Sequence, residues 1–163
     1  MTIVAEDRHY PVPAQDRAEC IDLINRLNLA FDEWDIETMV AAFTPDATVT
    51  HPKGDVRGHD QLRAFCEAYY PLTLGVRRQA VNHVVDGLPN GLVRVTSYHQ
   101  LIRVAAPAED RTVKDQILTV HSEFLPALSI HSLMFDDCRR DEGHGWRICA
   151  RRVERTVVNR LLR

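Results

Sequence analysis

Lysine is nearly missing from this chain of 163 residues: Lys53 and Lys114 are the only two, and arginine supplies the rest of the positive charge. The net charge is −3 and the pI about 6.2, so there is no basic field to meet nucleic acid or an anionic lipid surface. Cys20, Cys66, Cys138 and Cys149 lie far apart, with no Cys-x-x-Cys spacing. This argues against a zinc knuckle or a secreted disulfide scaffold, and reads as buried or half-buried thiols in a reducing compartment. No apolar run is long enough to span a bilayer, and the polar start, Met1 to Gln15, lacks the apolar core of a signal peptide. The expectation is a cytoplasmic protein with neither a nucleic-acid nor a membrane partner. Ser97, Ser129 and Ser132 have no Gly-x-Ser-x-Gly setting, and no cysteine has a recognisable base beside it, so nucleophilic catalysis lacks support. Gly143 and Gly145 sit in a turn with no helix behind it, which removes a phosphate loop.

What is present is ordinary globular material, 45% hydrophobic and 26% charged. It suits one domain over residues 1–163, with residues 1–12 as an N-terminal arm. From Ala14 the residues Cys20, Ile21, Ile24, Leu27, Phe31 and Trp34 recur at helical spacing, predicting a helix to about Asp32. Asp35 reads as the N-cap of a short second helix over 36–43, stopped by Thr44-Pro45-Asp46. A strand over 47–51 and a turn over 52–55 follow, then a third helix from Gly58 through Tyr69, closed by Pro71.

After Gly75 the period changes to two. A strand over 76–85 is phased with Arg77, Gln79, Val81, His83 and Val85 on one face. The turn Gly87 to Gly91 leads to a long strand over 92–104, and a further strand is expected within 112–125. Strands over 128–140 and 146–158 make the last hairpin. Helices first and strands afterwards predict an α+β fold: an antiparallel sheet curled around N-terminal helices into a cone with a central apolar pocket.

Particular residues now carry a resemblance. Asp32-x-x-Asp35-x-Glu37 followed by Ala42-Phe43-Thr44-Pro45-Asp46-Ala47 resembles the opening of SnoaL-like domains, in the nuclear transport factor 2-like superfamily. Gly58-His59-Asp60-Gln61-Leu62 with Phe65 is similar to the family's third-helix entry, and Asn82-His83-Val84-Val85 to its histidine-bearing strand. The ending, Phe135 to Arg140 and Gly145-Trp146-Arg147-Ile148 with Arg151-Arg152, also resembles the small subunits of aromatic-ring-hydroxylating dioxygenases. The superfamily hosts dehydratases, isomerases, cyclases and silent subunits, so the resemblance speaks to fold more than to activity. In dehydratase-like and dehydrochlorinase-like members a helix-end aspartate and a strand histidine form a dyad. By motif position these are Asp32 and His83 here, and Phe31 stands where dehydratases often have tyrosine.

The chemistry of such a pair is intelligible by itself. An imidazole titrates near neutrality and can accept a proton, while a carboxylate on its other nitrogen fixes the tautomer. The expected function is a cofactor-independent lyase or isomerase on a small hydrophobic cyclic molecule. Asp32 and His83 act as base, Tyr98 or His99 polarises the substrate, and Phe31 and Tyr69 belong to the binding wall. The alternative is a non-catalytic ligand-binding module or dioxygenase-type small subunit, with Asp32 a cap or surface charge and His83 a hydrogen-bonded core residue. His51 is expected at a rim. A rival metal constellation is His121-Ser122-Glu123 with His131 or His144. Arg139, Arg140, Arg151, Arg152 and Arg155, interleaved with acids, read as a solvated ion-pair face. Phe, Val and Leu alternating with arginine on the outer sheet face predict a homodimer or homotrimer.

Overall fold

The helical stripe read from the sequence is the one the fold buries. In the computed structural model, which describes residues 10–110 and 125–162, α1 (Ala14–Glu33) turns Cys20, Ile24, Leu27 and Ala30 into the core. Each such side chain removes enough apolar surface from water to contribute about 1.5–3 kcal/mol when large. Asn28 is the polar exception, 4% exposed within that stripe. Trp34 ends the helix in the left-handed region (φ 60°), and the Asp35 amide closes back on the Ala30 carbonyl at 2.9 Å. Asp35 then caps α2 (Ile36–Ala41) as expected: its carboxylate accepts from the Thr38 amide at 3.0 Å and the Thr38 hydroxyl at 2.6 Å.

The second helix is two residues shorter than the spacing predicts. Phe43 already pairs with Ile148, and β1 runs Phe43–His51. Pro45 is tolerated because the pairing register shifts between Phe43 and Thr48, where no ladder amide is needed. A four-residue strand, β2 (Gly54–Arg57), lies where the sequence reads only a turn. Then come α3 (Gly58–Tyr69), β3 (Val76–Gly87), β4 (Val93–Arg103), β5 (Ala127–Asp141) and β6 (Gly145–Val158). The strand expected within 112–125 falls, but for Leu125, outside the described residues, and with it His121 and Glu123, as do residues 1–9.

The six strands form one sheet in the order β2-β1-β6-β5-β4-β3. It is mixed rather than purely antiparallel, because β1 runs parallel to β6. It is also open, with β2 and β3 as its edges. The helices lie on the inner face, where Met39, Val49, Val95 and Ile148 join the α1 stripe in the core. Two features place the site. Arg17 Nη2 donates to the Val85 carbonyl at 3.1 Å and helps lay α1 along β3. Between Val81 and Val84 the β3–β4 register shifts, with Asn82 at φ 55°. That bulge reverses the strand's alternation. Before it Val76 and Arg78 are buried; after it Val85 and Gly87 are.

Candidate functional site

The inner sheet face and the helices leave a cavity of about 320 Å³. Its wall is mostly apolar: Phe31 from α1, Phe43 and Val49 from β1, Leu62 and Phe65 from α3, and Met134 from β5 among others. At its mouth the His51 ring meets Phe65 edge-on at 5.2 Å and Tyr69 at 5.9 Å, with Lys53 Nζ 4.7 Å over the Tyr69 ring. The Lys53 amide donates to His51 Nδ1 at 3.1 Å, so the neutral ring carries its proton on Nε2. Burial, then Lys53 and Arg151, lower the His51 pKa, and burial raises that of Tyr69.

Three polar side chains stand out on this wall: Arg78, His99 and Arg151. Arg78 reaches in from β3 with its side chain 5% exposed, and its guanidinium carbon lies 4.6 Å from the Phe31 ring centre. Its backbone amide donates to both Asp32 carboxylate oxygens at 3.1 and 3.2 Å, and Nη1 approaches Oδ1 at 3.4 Å. Among the described residues its other guanidinium donors have no acceptor. Burial lowers the Arg78 pKa and raises that of Asp32, with each group opposing the shift of the other.

Arg151 comes from β6. Nε and Nη2 donate to the two carboxylate oxygens of Asp136 on β5, at 2.5 and 3.0 Å, in a bidentate pair whose aspartate is fully buried. It too lies near an aromatic face, 5.4 Å from the Phe43 ring centre.

His99 stands on β4, where Val93, Val95, Ser97, His99 and Leu101 alternate inward. Its Nε2 meets Asn28 Oδ1 at 2.6 Å. Burial, assisted by Arg151 and Arg78, lowers its pKa to about 3, so the ring stays neutral through the physiological range.

The residues expected from sequence are therefore divided. Phe31, Tyr69 and His99 line the cavity, and His51 stands at its mouth. Tyr98 does not: the alternation of β4 sends it to the outer sheet face, 41% exposed, against the His131 ring at 5.1 Å. Nor do Asp32 and His83 pair. The end of α1 meets the start of β3, so Asp32 bonds to Arg78, and His83 lies five residues, roughly 16 Å, further along the strand. His83 sits in the bulge with Nε2 buried and, among the described residues, without a hydrogen-bond partner. Burial lowers its pKa, opposed by the Asp136 charge.

The single strand face of Arg77, Gln79, Val81, His83 and Val85 is corrected as well, since the bulge splits it: Arg78 is the inward residue before it and Val85 after it. Arg151 likewise leaves the solvated arginine cluster to which the sequence assigns it, whereas Arg139 pairs with Asp46 at 2.7 Å and Arg140 with Asp16, both exposed arginines. The signals were available. Phasing β3 from Val76 turns Arg78 inward, and Asp136 and Arg151 occupy inward positions on paired strands.

Among the described residues no group of three or more His, Cys, Asp or Glu could hold a metal ion. His144 stands on the exposed 141–145 turn, 3.8 Å from Asp141. The four cysteines are free thiols, three buried and Cys149 half-buried, as expected. No helix among the described residues is long and apolar enough to cross a membrane.

The comparisons with known proteins agree with the fold. The SnoaL-like domain family matches residues 13–152. A protein of unknown function with a cystatin-like fold from Nostoc punctiforme superposes with a TM-score of 0.70 at 20% identity, over 94% of this chain and 98% of that one. ActVI-ORFA from Streptomyces coelicolor gives 0.67 at 19% identity, over 84% and 95%. A protein from Novosphingobium aromaticivorans described as a candidate aromatic ring hydroxylase gives 0.66 at 18% identity, over 91% and 96%. At these identities the likeness is one of fold. No curated protein matches the sequence.

Proposed function

Starting from the fact that the chain belongs to the SnoaL-like domain family, we propose that its cavity binds a small hydrophobic cyclic molecule bearing an acidic or enolisable oxygen. We propose that it acts there as a cofactor-independent lyase or isomerase by stabilising the oxyanion. The observation that carries this reading is the pair of buried guanidiniums, Arg78 and Arg151, on a mostly apolar wall. A guanidinium does not give up its proton in a protein, so at Arg78 it supplies charge and directed donors where an imidazole would supply a base. In a mostly apolar cavity those donors favour a phenolate, carboxylate or enolate over its neutral acid. His99 is too weakly basic to take a proton from carbon and serves as a neutral partner, so the proton that leaves the α-carbon passes to solvent water and is returned from it. The acidity is thus generated in the ligand, which limits the chemistry to substrates that already enolise readily.

The test follows hydrogen exchange at the α-carbon of 2-tetralone in D2O by NMR. Exchange that the wild-type protein accelerates, and that Arg78→Met reduces at least tenfold, supports enolate stabilisation. Tight binding without exchange would point instead to the second reading, a ligand-binding module or small subunit without turnover. That alternative draws support from the absence of an Asp32–His83 pair.

A further inference from the structure

Asn28 is a carboxamide in the apolar stripe of α1, and its Oδ1 lies 2.6 Å from His99 Nε2. At 4% and 6% exposure neither side chain has water to fall back on, so the bond between them fixes which ring nitrogen carries the proton. Two arrangements satisfy the distance. In one, His99 Nε2–H donates to the amide oxygen and the Nδ1 lone pair is left for the cavity. In the other, the amide nitrogen donates to Nε2 and an Nδ1–H faces inward.

The neighbours decide between them. His99 shares the cavity wall with the guanidiniums of Arg78 and Arg151, both close enough to act on its charge. A lone pair on the ring's free nitrogen is stabilised by neighbouring positive charge, whereas an N–H there is disfavoured.

We infer that Asn28 is a positioning residue that holds His99 as its Nε2–H tautomer, so that Nδ1 is left as a fixed acceptor on a wall that also carries two cationic donors. The ligand class follows by complementarity: a ring that carries a hydroxyl donor as well as its acidic oxygen. This rests on the oxyanion-binding reading above and narrows it. Ser132 and Thr156 do not supply the same selectivity, because their hydroxyls bond to each other at 3.0 Å and can turn either way.

Two measurements test it. The first is the ¹⁵N and ¹H spectrum of the His99 ring in the unliganded protein, which reports the tautomer directly. A proton on Nε2 is expected in the wild type and in Asn28→Asp, which keeps an acceptor, with tautomer exchange in Asn28→Leu. A proton on Nδ1 in the wild type overturns the inference. The second is calorimetry with 2-naphthoate, its monohydroxy isomers and their methyl ethers. At least one hydroxy isomer should bind ten times or more tighter than both the parent acid and its own ether, and Asn28→Leu should erase that preference while the parent acid still binds. Equal affinity for parent, hydroxy and ether forms overturns the ligand class but leaves the oxyanion reading standing. Failure of every naphthoate to bind, or binding indifferent to Arg78→Met, sinks the oxyanion reading, and the tautomer then stands or falls on the spectrum alone. Should Asn28→Leu fail to fold, the wild-type and Asn28→Asp spectra still decide.

Discussion

An imidazole and a guanidinium opposite Asp32 would make similar hydrogen bonds and opposite chemistries, and position 78 holds the guanidinium. The carboxylate that sequence reasoning assigned to orient a base instead anchors a cation. Arg78→Met should therefore weaken binding of a cyclic carboxylate at least tenfold by calorimetry. Unchanged affinity would remove the role given to it. Arg151 has a structural duty too, because its loss leaves Asp136 charged and fully buried. Arg151→Met should cost about 3–5 kcal/mol in urea unfolding, and a loss under about 1 kcal/mol would mean that the pair is far less desolvated than it looks.

His99 adds a pH dependence whose sign is fixed. Its folded pKa lies near 3 and an unfolded histidine titrates near 6.5, so between those values the unfolded chain binds a proton that the folded chain refuses. Stability is thus fully present above pH 6.5 and falls toward pH 3, at about 1.4 kcal/mol per unit. His51 and His83, also lowered mainly by burial, act in the same direction. Urea midpoints that do not move between pH 7 and 5 would contradict this.

Among the elements, β3 shows where sequence reading succeeds and where it stops. Its existence and extent follow from period-two alternation, and so do β4, β5 and β6. Its phase does not, because a bulge at Asn82–His83 lets one strand send Arg78 and Val85 to the same face. Motif position put His83 in the site, and a single alternation carried through the bulge left Arg78 on the opposite face. β2 was missed because four residues with one apolar side chain, Val56, leave no period to read. The parallel β1–β6 pairing joins strands about a hundred residues apart in sequence, and no local pattern encodes it. What depends on neighbours in the chain was legible: the α1 stripe, the Asp35 cap, the turns.

Two element-scale predictions follow from local geometry. Asp35→Ala removes both bonds to Thr38 and should cost about 1 kcal/mol by thermal unfolding. Gly75 has φ 70°, and an added Cβ would stand 2.2 Å from the Ala105 carbonyl oxygen. Gly75→Ala should cost about 2 kcal/mol or more. A neutral result at either position would show that the chain relaxes around it.

On the scale of the whole molecule, the sheet divides two environments. Its inner face and the helices enclose the cavity, while its outer face carries Tyr98, exposed at 41%, beside His131, and other mixed apolar and charged side chains. The proposal that copies of the chain meet through this outer face predicts a light-scattering mass two or three times the chain's 18.6 kDa. A monomer at tens of micromolar would contradict that.

The central claim concerns the inner environment, and the most direct test is the ionisation of a phenol placed in it. With a nitrophenol bound at saturation, the absorbance of the phenolate gives its pKa inside the cavity. The two guanidiniums should lower that pKa by at least about 1 unit relative to water, and Arg78→Met should return most of the difference. A bound phenol whose pKa is unchanged or raised would mean that the apolar wall outweighs the arginines, and that this cavity does not stabilise an oxyanion.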